Sequence, residues 1–100
     1  MATTDQLITL AERIAGNLRG VSRNEWMRWM QVAQTYGMDR AIRYAQRLSQ
    51  DQTVRPARQR AYRFIAQVMH QFQKQITQLH EDEKRQLYGF VAWELFVQRG

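Results

Sequence analysis

The sequence predicts an all-α fold, a single compact bundle of about five helices over residues 1–100. Apolar residues recur along most of the chain at three- and four-residue spacing, which is the period of an amphipathic helix. Helix-starting residues precede these series, and no segment keeps the two-residue alternation of a strand. A hydrophobic content of 44% with 11% aromatic residues is enough for one buried core in a domain of 100 residues.

The first helix is predicted near residues 4–18. Thr3 and Gln6 have the spacing of a capping box, in which each side chain bonds the backbone N–H of the other residue. Gly20 follows the apolar series and is a residue type at which helices commonly end. The apolar positions on one face of this helix are Leu7, Leu10, Ile14 and Leu18.

The second helix is predicted at about residues 23–36. Ser22 and Glu25 form a second capping box, and Gly37 lies where a left-handed cap is expected to end the helix. We expect the apolar side of this helix to be buried; its residues are Trp26, Trp29, Met30 and Ala33.

Asp39 is predicted to cap the third helix, because an aspartate side chain can accept hydrogen bonds from the free N–H groups of a first turn. The helix carries Ile42, Ala45 and Leu48 and is expected to end in the polar segment 49–53, which we interpret as a loop.

Pro56 fits the first turn of a fourth helix, the longest in the chain. Its apolar series is Ala61, Phe64, Ile65, Val68, Phe72, Ile76 and Leu79. The acidic cluster 81–83 favours the start of a fifth helix that runs to about Gln98. This last helix has almost no polar face, so we expect it either to be central or to be covered by another chain.

The net charge of +6 is concentrated in residues 40–63. Elsewhere eight basic residues are balanced by eight acidic residues, whereas this stretch has Asp51 as its one acid. Its seven basic residues are all arginine, whose planar fork suits phosphate. Because a solubilising surface intersperses both signs, this pattern favours a polyanion as the partner, with nucleic acid first. The residues are Arg40, Arg43, Arg47, Arg55, Arg58, Arg60 and Arg63.

Helical spacing divides these cations between two stripes. Arg40, Arg43 and Arg47 share a face of the third helix. A stripe on the fourth helix spans an arc of roughly 80°, opposite the apolar face, and comprises Arg60, Arg63, Gln67, His70 and Lys74. If the two helices are antiparallel neighbours, the stripes join into one groove. The alternative is that both are ordinary solvated faces.

Aromatic residues near these stripes could stack on unpaired bases. Tyr62 lies off the apolar arc of the fourth helix, between Arg58 and Arg63, and is our stacking candidate. Core packing is the interpretation for the two tryptophans of the second helix.

Motifs for catalysis are missing from the sequence, which has no catalytic triad, P-loop or HExxH pattern and no cysteine. We therefore expect no enzyme, no cofactor and no metal site. The run from Leu87 to Val97 is too short to span a bilayer, and no secretory signal is visible at the N-terminus. We expect a cytoplasmic protein that does not bind a membrane.

A basic, cysteine-free helical bundle of this size with an over-apolar last helix resembles the small subunits of CRISPR effector complexes. The resemblance is closest to Cascade-type complexes, in which the small subunit corresponds to the C-terminal helical domain of the large subunit. It covers the whole chain in architecture and is carried by segments 36–42 (YGMDRAI) and 87–93 (LYGFVAW).

This resemblance implies a non-catalytic role in an antiviral ribonucleoprotein complex with other protein subunits. Copies of the chain would stack head to tail along guide RNA and target, and their basic faces would hold single-stranded DNA or RNA, or a guide–target hybrid. That binding would use the seven arginines, Lys74 and Tyr62. Subunit contacts would use the last helix, through Phe90, Trp93 and Phe96.

Two other hypotheses compete with this one. The helix pair around Gly37 could be the helix-turn-helix of a stand-alone DNA-binding regulator, with Arg40 and Arg43 at the base-reading end. Alternatively, the chain could be a protein-binding adaptor that uses the last helix, with an incidental basic face.

Overall fold

A computed structural model describes residues 2–97 of the chain and contains five α-helices, with no strand in that range. They are α1 (Thr4–Asn17), α2 (Arg23–Tyr36), α3 (Met38–Gln50), α4 (Pro56–Thr77) and α5 (Glu81–Val97). The radius of gyration, 12.7 Å, is close to the value of about 13 Å for one compact domain of this length. The predicted all-α bundle is confirmed.

None of the helices in the described range is long and apolar enough to cross a membrane. The predicted end of the last helix, Gln98, lies outside the described residues.

The predicted starts of α1, α2 and α4 are confirmed. The Thr3 hydroxyl accepts a hydrogen bond from the Gln6 N–H at 3.1 Å, and the Gln6 side chain accepts one from the Thr3 N–H at 2.9 Å. At α2, Ser22 accepts a hydrogen bond from the Glu25 N–H at 3.4 Å, but the predicted capping box is half formed, because among residues 2–97 the Glu25 side chain makes no bond to the Ser22 N–H. Pro56 occupies the first turn of α4. A backbone N–H at that position would have no acceptor within the helix, so the lack of one in proline costs no hydrogen bond.

The predicted cap of α3 is wrong. Gly37, not Asp39, precedes the helix, and no side chain caps it. Gly37 also ends α2, where its N–H bonds the carbonyl of Ala33 at 2.9 Å, so one residue joins the two helices. Its φ of +94° suits glycine and allows this tight connection. Asp39 lies in the first turn of α3, and its carboxylate accepts a hydrogen bond from the Gln73 side chain of α4.

The helices pack mainly in the pairs α3–α4, α1–α5 and α2–α3. Helices α3 and α4 are antiparallel, since the Asp39–Gln73 contact joins the start of α3 to the end of α4. At the opposite end, the Gln59 side chain donates to the backbone carbonyl of Asp51. These two contacts bracket the α3–α4 pair and hold its register.

The centre of the core is an aromatic cluster of Trp26, Trp29 and Tyr88. Both tryptophans are fully buried, and each ring meets the Tyr88 ring edge-on at about 6 Å. The Trp26 indole N–H donates to the Tyr88 carbonyl at 3.0 Å, and that of Trp29 to the Ala41 carbonyl at 2.9 Å. Because each buried indole is satisfied, the cluster ties α2 to α5 and to α3.

Helix α5 packs mainly against α1 and α2, which bury part of its apolar surface and leave Trp93, Phe96 and Val97 exposed. The covered residues are Leu87, Tyr88, Val91, Ala92 and Leu95. The start of α5 is held by Glu83, a buried carboxylate that accepts the N–H of Ala2 at 2.8 Å and of His80 at 2.9 Å. These hydrogen bonds hold the pKa of Glu83 below its ordinary value, and the bond from His80 has the larger effect.

Candidate nucleic-acid interface

A groove of about 710 Å³ runs between α3 and α4. It is lined from α3 by Arg43, Gln46, Arg47, Ser49 and Gln50, and from α4 by Arg63, Ala66, Gln67 and His70. Among residues 2–97, three arginines and no acidic residue line it. The antiparallel pairing of the helices therefore brings members of the two predicted stripes together at one surface.

Local helix geometry explains why the arginines point into this groove. On α3, Ala41, Ile42 and Ala45 are buried, so Arg43 and Arg47 lie on the opposite, exposed side. The two are one turn apart, about 6 Å along the axis. On α4, the buried Ala66 adjoins three exposed residues that line the groove opposite α3, namely Arg63, Gln67 and His70.

Among the described residues, the arginines of residues 40–63 form no ion pairs. All seven arginines are exposed, and among residues 2–97 the sole salt bridge joins Lys84 to Glu81 at 3.1 Å. The carboxylate of Asp51 accepts hydrogen bonds from the hydroxyl of Thr53 at 2.6 Å and its N–H at 2.9 Å. Both bonds lower the pKa of Asp51, and the bond from the hydroxyl has the larger effect.

Three predicted cations lie on the same helices without lining the groove. Arg40, Arg60 and Lys74 are exposed on α3 and α4, so the predicted stripes are longer than the groove that they border. Arg55 precedes Pro56 at the start of α4.

Arg58 faces a different pocket, of about 350 Å³, formed with α2. Arg28 lines the same pocket, together with Met27 and Glu25. Sequence reasoning missed Arg28 because it lies outside the charged stretch. Its position on the polar side of α2, two residues after the buried Trp26, is the signal that could have found it.

The proposed stacking role of Tyr62 does not fit the structure. The residue is 1% exposed, and its ring packs edge-on against Tyr44 at 5.9 Å. Burial, with a smaller effect of Tyr44, raises the pKa of Tyr62 to about 12. The buried face of α4 differs from the predicted apolar series, because it includes Tyr62, Ala66 and Met69, whereas Phe64 of that series is 39% exposed.

The end of α5 carries an exposed aromatic pair, Trp93 and Phe96, here called the α5 aromatic pair. Their exposed fractions are 62% and 54%, and their ring centroids are 6.0 Å apart. The guanidinium of Arg23, on α2, lies 5.4 Å from the Phe96 centroid. Phe90, the third predicted interface residue, is partly buried against the core. Of the three, two are therefore available to a partner.

Within residues 2–97, no group of three or more histidine, cysteine, aspartate or glutamate residues could hold a metal ion. No family model, curated protein or solved structure matches this chain.

Proposed function

We propose that this protein is a non-catalytic nucleic-acid-binding protein that holds a sugar-phosphate backbone in the α3–α4 groove. The observation that carries the proposal is the lining of that groove, three arginines with no acid. A guanidinium can donate two parallel hydrogen bonds to a phosphate, and such charge-assisted bonds are stronger than neutral ones. Gln46, Gln50 and Gln67 add further donors along the same surface.

The cost of the arginine arrangement supports the same proposal. Arg58 and Arg60 follow Pro56 in the first turns of α4, and the first turn has no acidic residue. A cation at a helix N-terminus is unfavourable by about 0.3–1 kcal/mol. Arg43 and Arg47, four residues apart, repel by a few tenths of a kcal/mol more. A bound polyanion would offset both costs.

The α2–α3 connection argues against a helix-turn-helix regulator. Such motifs join their helices at a turn of about three to four residues. Here Gly37 alone separates α2 from α3, and α3 packs against both α2 and α4. We therefore favour binding through phosphates, tolerant of sequence, over the reading of a specific duplex site.

The setting we propose is a CRISPR effector complex, as the resemblance of the chain implies. In that setting the protein is a small subunit, and its α3–α4 groove holds guide, target or displaced strand while other subunits carry the catalysis. The arginines, which form no ion pair within residues 2–97, support the binding part of this role.

The salt dependence of binding tests whether the α3–α4 groove binds nucleic acid through its phosphates. We would titrate the protein into fluorescein-labelled single strands and duplexes, each in two unrelated sequences, from 50 to 300 mM salt. If about four to six phosphates of a single strand are neutralised, the slope of log K against log salt should be roughly −3 to −4. A slope near zero, or binding confined to one duplex sequence, would contradict the proposal.

Purification from the native cells tests whether the protein belongs to an effector complex. A tagged copy expressed in its source cells should retain RNA of uniform length and a fixed set of protein subunits. Recovery of the protein without either would remove the effector-complex setting and leave the binding proposal to the salt titration.

A further inference from the structure

Four exposed arginines on α4 and α2, here called the arginine path, relate the α3–α4 groove to the α5 aromatic pair. Arg63 in the groove and Arg58 are five residues apart on α4, and Arg58 shares a pocket with Arg28 of α2. Arg28 is five residues from Arg23, whose guanidinium covers Phe96. Five residues correspond to about 140° around a helix, so the two arginines of each helix do not share a face, and a strand that touched all four would pass around both helices.

Two acidic residues adjoin these groups: Glu25, and the half-buried Glu94, which follows Trp93 in the chain. Glu25 lines the pocket with Arg28 and Arg58, and its Oε2 atom is enclosed. Two guanidinium groups thus face one carboxylate there, and the pocket keeps a positive balance. Among residues 2–97, none of these arginines forms an ion pair.

The exposed area of the pair is too small for a stable protein interface on its own. An aromatic side chain has about 150–250 Å² to bury, so exposed fractions of 62% and 54% leave roughly 200–300 Å² on the two rings. A stable protein–protein interface buries about 800 Å² on each partner. A patch of a few hundred Å² is an ordinary size on a monomer. Two exposed rings beside a cation are, in contrast, of the right size and chemistry to stack on one or two nucleobases.

We infer that Trp93 and Phe96 form a base-stacking platform for single-stranded nucleic acid whose backbone follows the arginine path from the α3–α4 groove. This inference rests on the proposed function and specifies its substrate as a strand with unpaired, accessible bases. Every base has a face that can stack on an aromatic ring, so the platform is tolerant of sequence. Arg23 adds a cation beside Phe96 that attracts the phosphates between stacked bases.

The test compares two oligomers with equal numbers of phosphates. One is a 15-nucleotide strand of deoxythymidine (dT15), and the other is a 15-unit abasic strand without bases. Trp26 and Trp29 are fully buried, so a change of tryptophan emission on binding reports on Trp93. We expect dT15 to quench the emission and the abasic strand to leave it unchanged.

Two variants separate the rings from the charge. Trp93→Leu with Phe96→Leu keeps apolar side chains but removes both rings, and should lower dT15 affinity at least about fivefold, the lower limit for one lost stack. Its affinity for the abasic strand should match that of the wild type. The control Trp93→Phe keeps a ring, so it should retain dT15 affinity and lose the quenching. Circular dichroism melts check that each variant is folded.

The outcomes distinguish a failure of the stacking platform from a failure of the proposed binding function. If the wild type binds dT15 and the abasic strand equally and without quenching, the platform is overturned and the proposed function stands. If it binds neither strand, the proposed function fails and the platform falls with it. If the double leucine variant instead turns a self-associating protein into a monomer in sedimentation velocity, with dT15 affinity unchanged, the pair is a protein contact and the inference is wrong.

Discussion

Replacing Arg43 and Arg63 together by glutamine should weaken nucleic-acid binding without affecting the stability of the fold. The two side chains line opposite walls of the α3–α4 groove, and neither forms an ion pair within residues 2–97. Glutamine keeps a good helix propensity and a hydrogen-bonding end group while removing the charge. The perturbation is therefore confined to the electrostatics of the groove.

The expected magnitude follows from counterion release. Each phosphate neutralised on a single strand contributes about 0.7 to the slope of log K against log salt, so losing two contacts should make the slope shallower by about 1.4. At 0.1 M salt the same two contacts correspond to roughly a 25-fold loss of affinity. The free energy of unfolding should change by less than about 0.5 kcal/mol, because both residues are exposed and form no ion pair in the described part of the chain.

Fluorescence anisotropy against salt measures the slope, and urea unfolding followed by circular dichroism measures the stability. A matched control is Arg19→Gln with Arg85→Gln, which removes two exposed charges, one just after α1 and one on α5. A second control, lysine at positions 43 and 63, restores the charge and should restore most of the slope. If the Arg19 and Arg85 control loses as much affinity as the groove variant, the binding is not localised in the groove. If the groove variant unfolds, its arginines are structural.

Two further predictions concern elements that hold the bundle together. Glu83→Gln should lower the melting temperature at pH 7, because Ala2 and His80 donate to different carboxylate oxygens, and the amide replaces one of these acceptors with an NH2 donor that faces an N–H group. Since the pKa of Glu83 is depressed in the fold, its contribution is present above the ordinary glutamate range of about 4.3 and is lost as the pH falls below it. Melts of both proteins from pH 7 to pH 2.5 should therefore converge at the acid end, and a constant difference would refute this explanation. Gly37→Ala should destabilise the fold by about 1–3 kcal/mol, because a φ of +94° with a ψ of 165° strains any residue with a Cβ atom. Urea unfolding measures this, and an unchanged free energy of unfolding would show that the α2–α3 connection can rearrange.

The helix starts could be predicted because their signals are local. Thr3 and Gln6 satisfy each other within one turn, and Pro56 has a φ that suits a first turn whatever surrounds it. The cap of α3 was predicted wrongly for a tertiary reason. Asp39 has the chemistry of a cap, but its carboxylate is engaged by Gln73 of α4, a partner 34 residues away.

The candidate groove was predictable in part. Helical spacing aligned Arg43 with Arg47 on one face and put Arg63 on a face of the next helix. Spacing along one helix cannot say how another helix is rotated against it, so it did not distinguish Arg63, which lines the groove, from Arg60, which does not. It also assigned Tyr62 to the surface, whereas the packing of α3 on α4 buries its ring.

The sequence by itself determined the five helices and the concentration of charge in residues 40–63, because caps, periodicity and charge are properties of neighbours in the chain. Only the tertiary structure decided which arginines share a surface and which apolar residues stay exposed. The reason is that burial depends on the neighbouring helix. In α5, Leu95 and Phe96 are adjacent in the chain, yet Leu95 is buried and Phe96 remains 54% exposed beside Arg23.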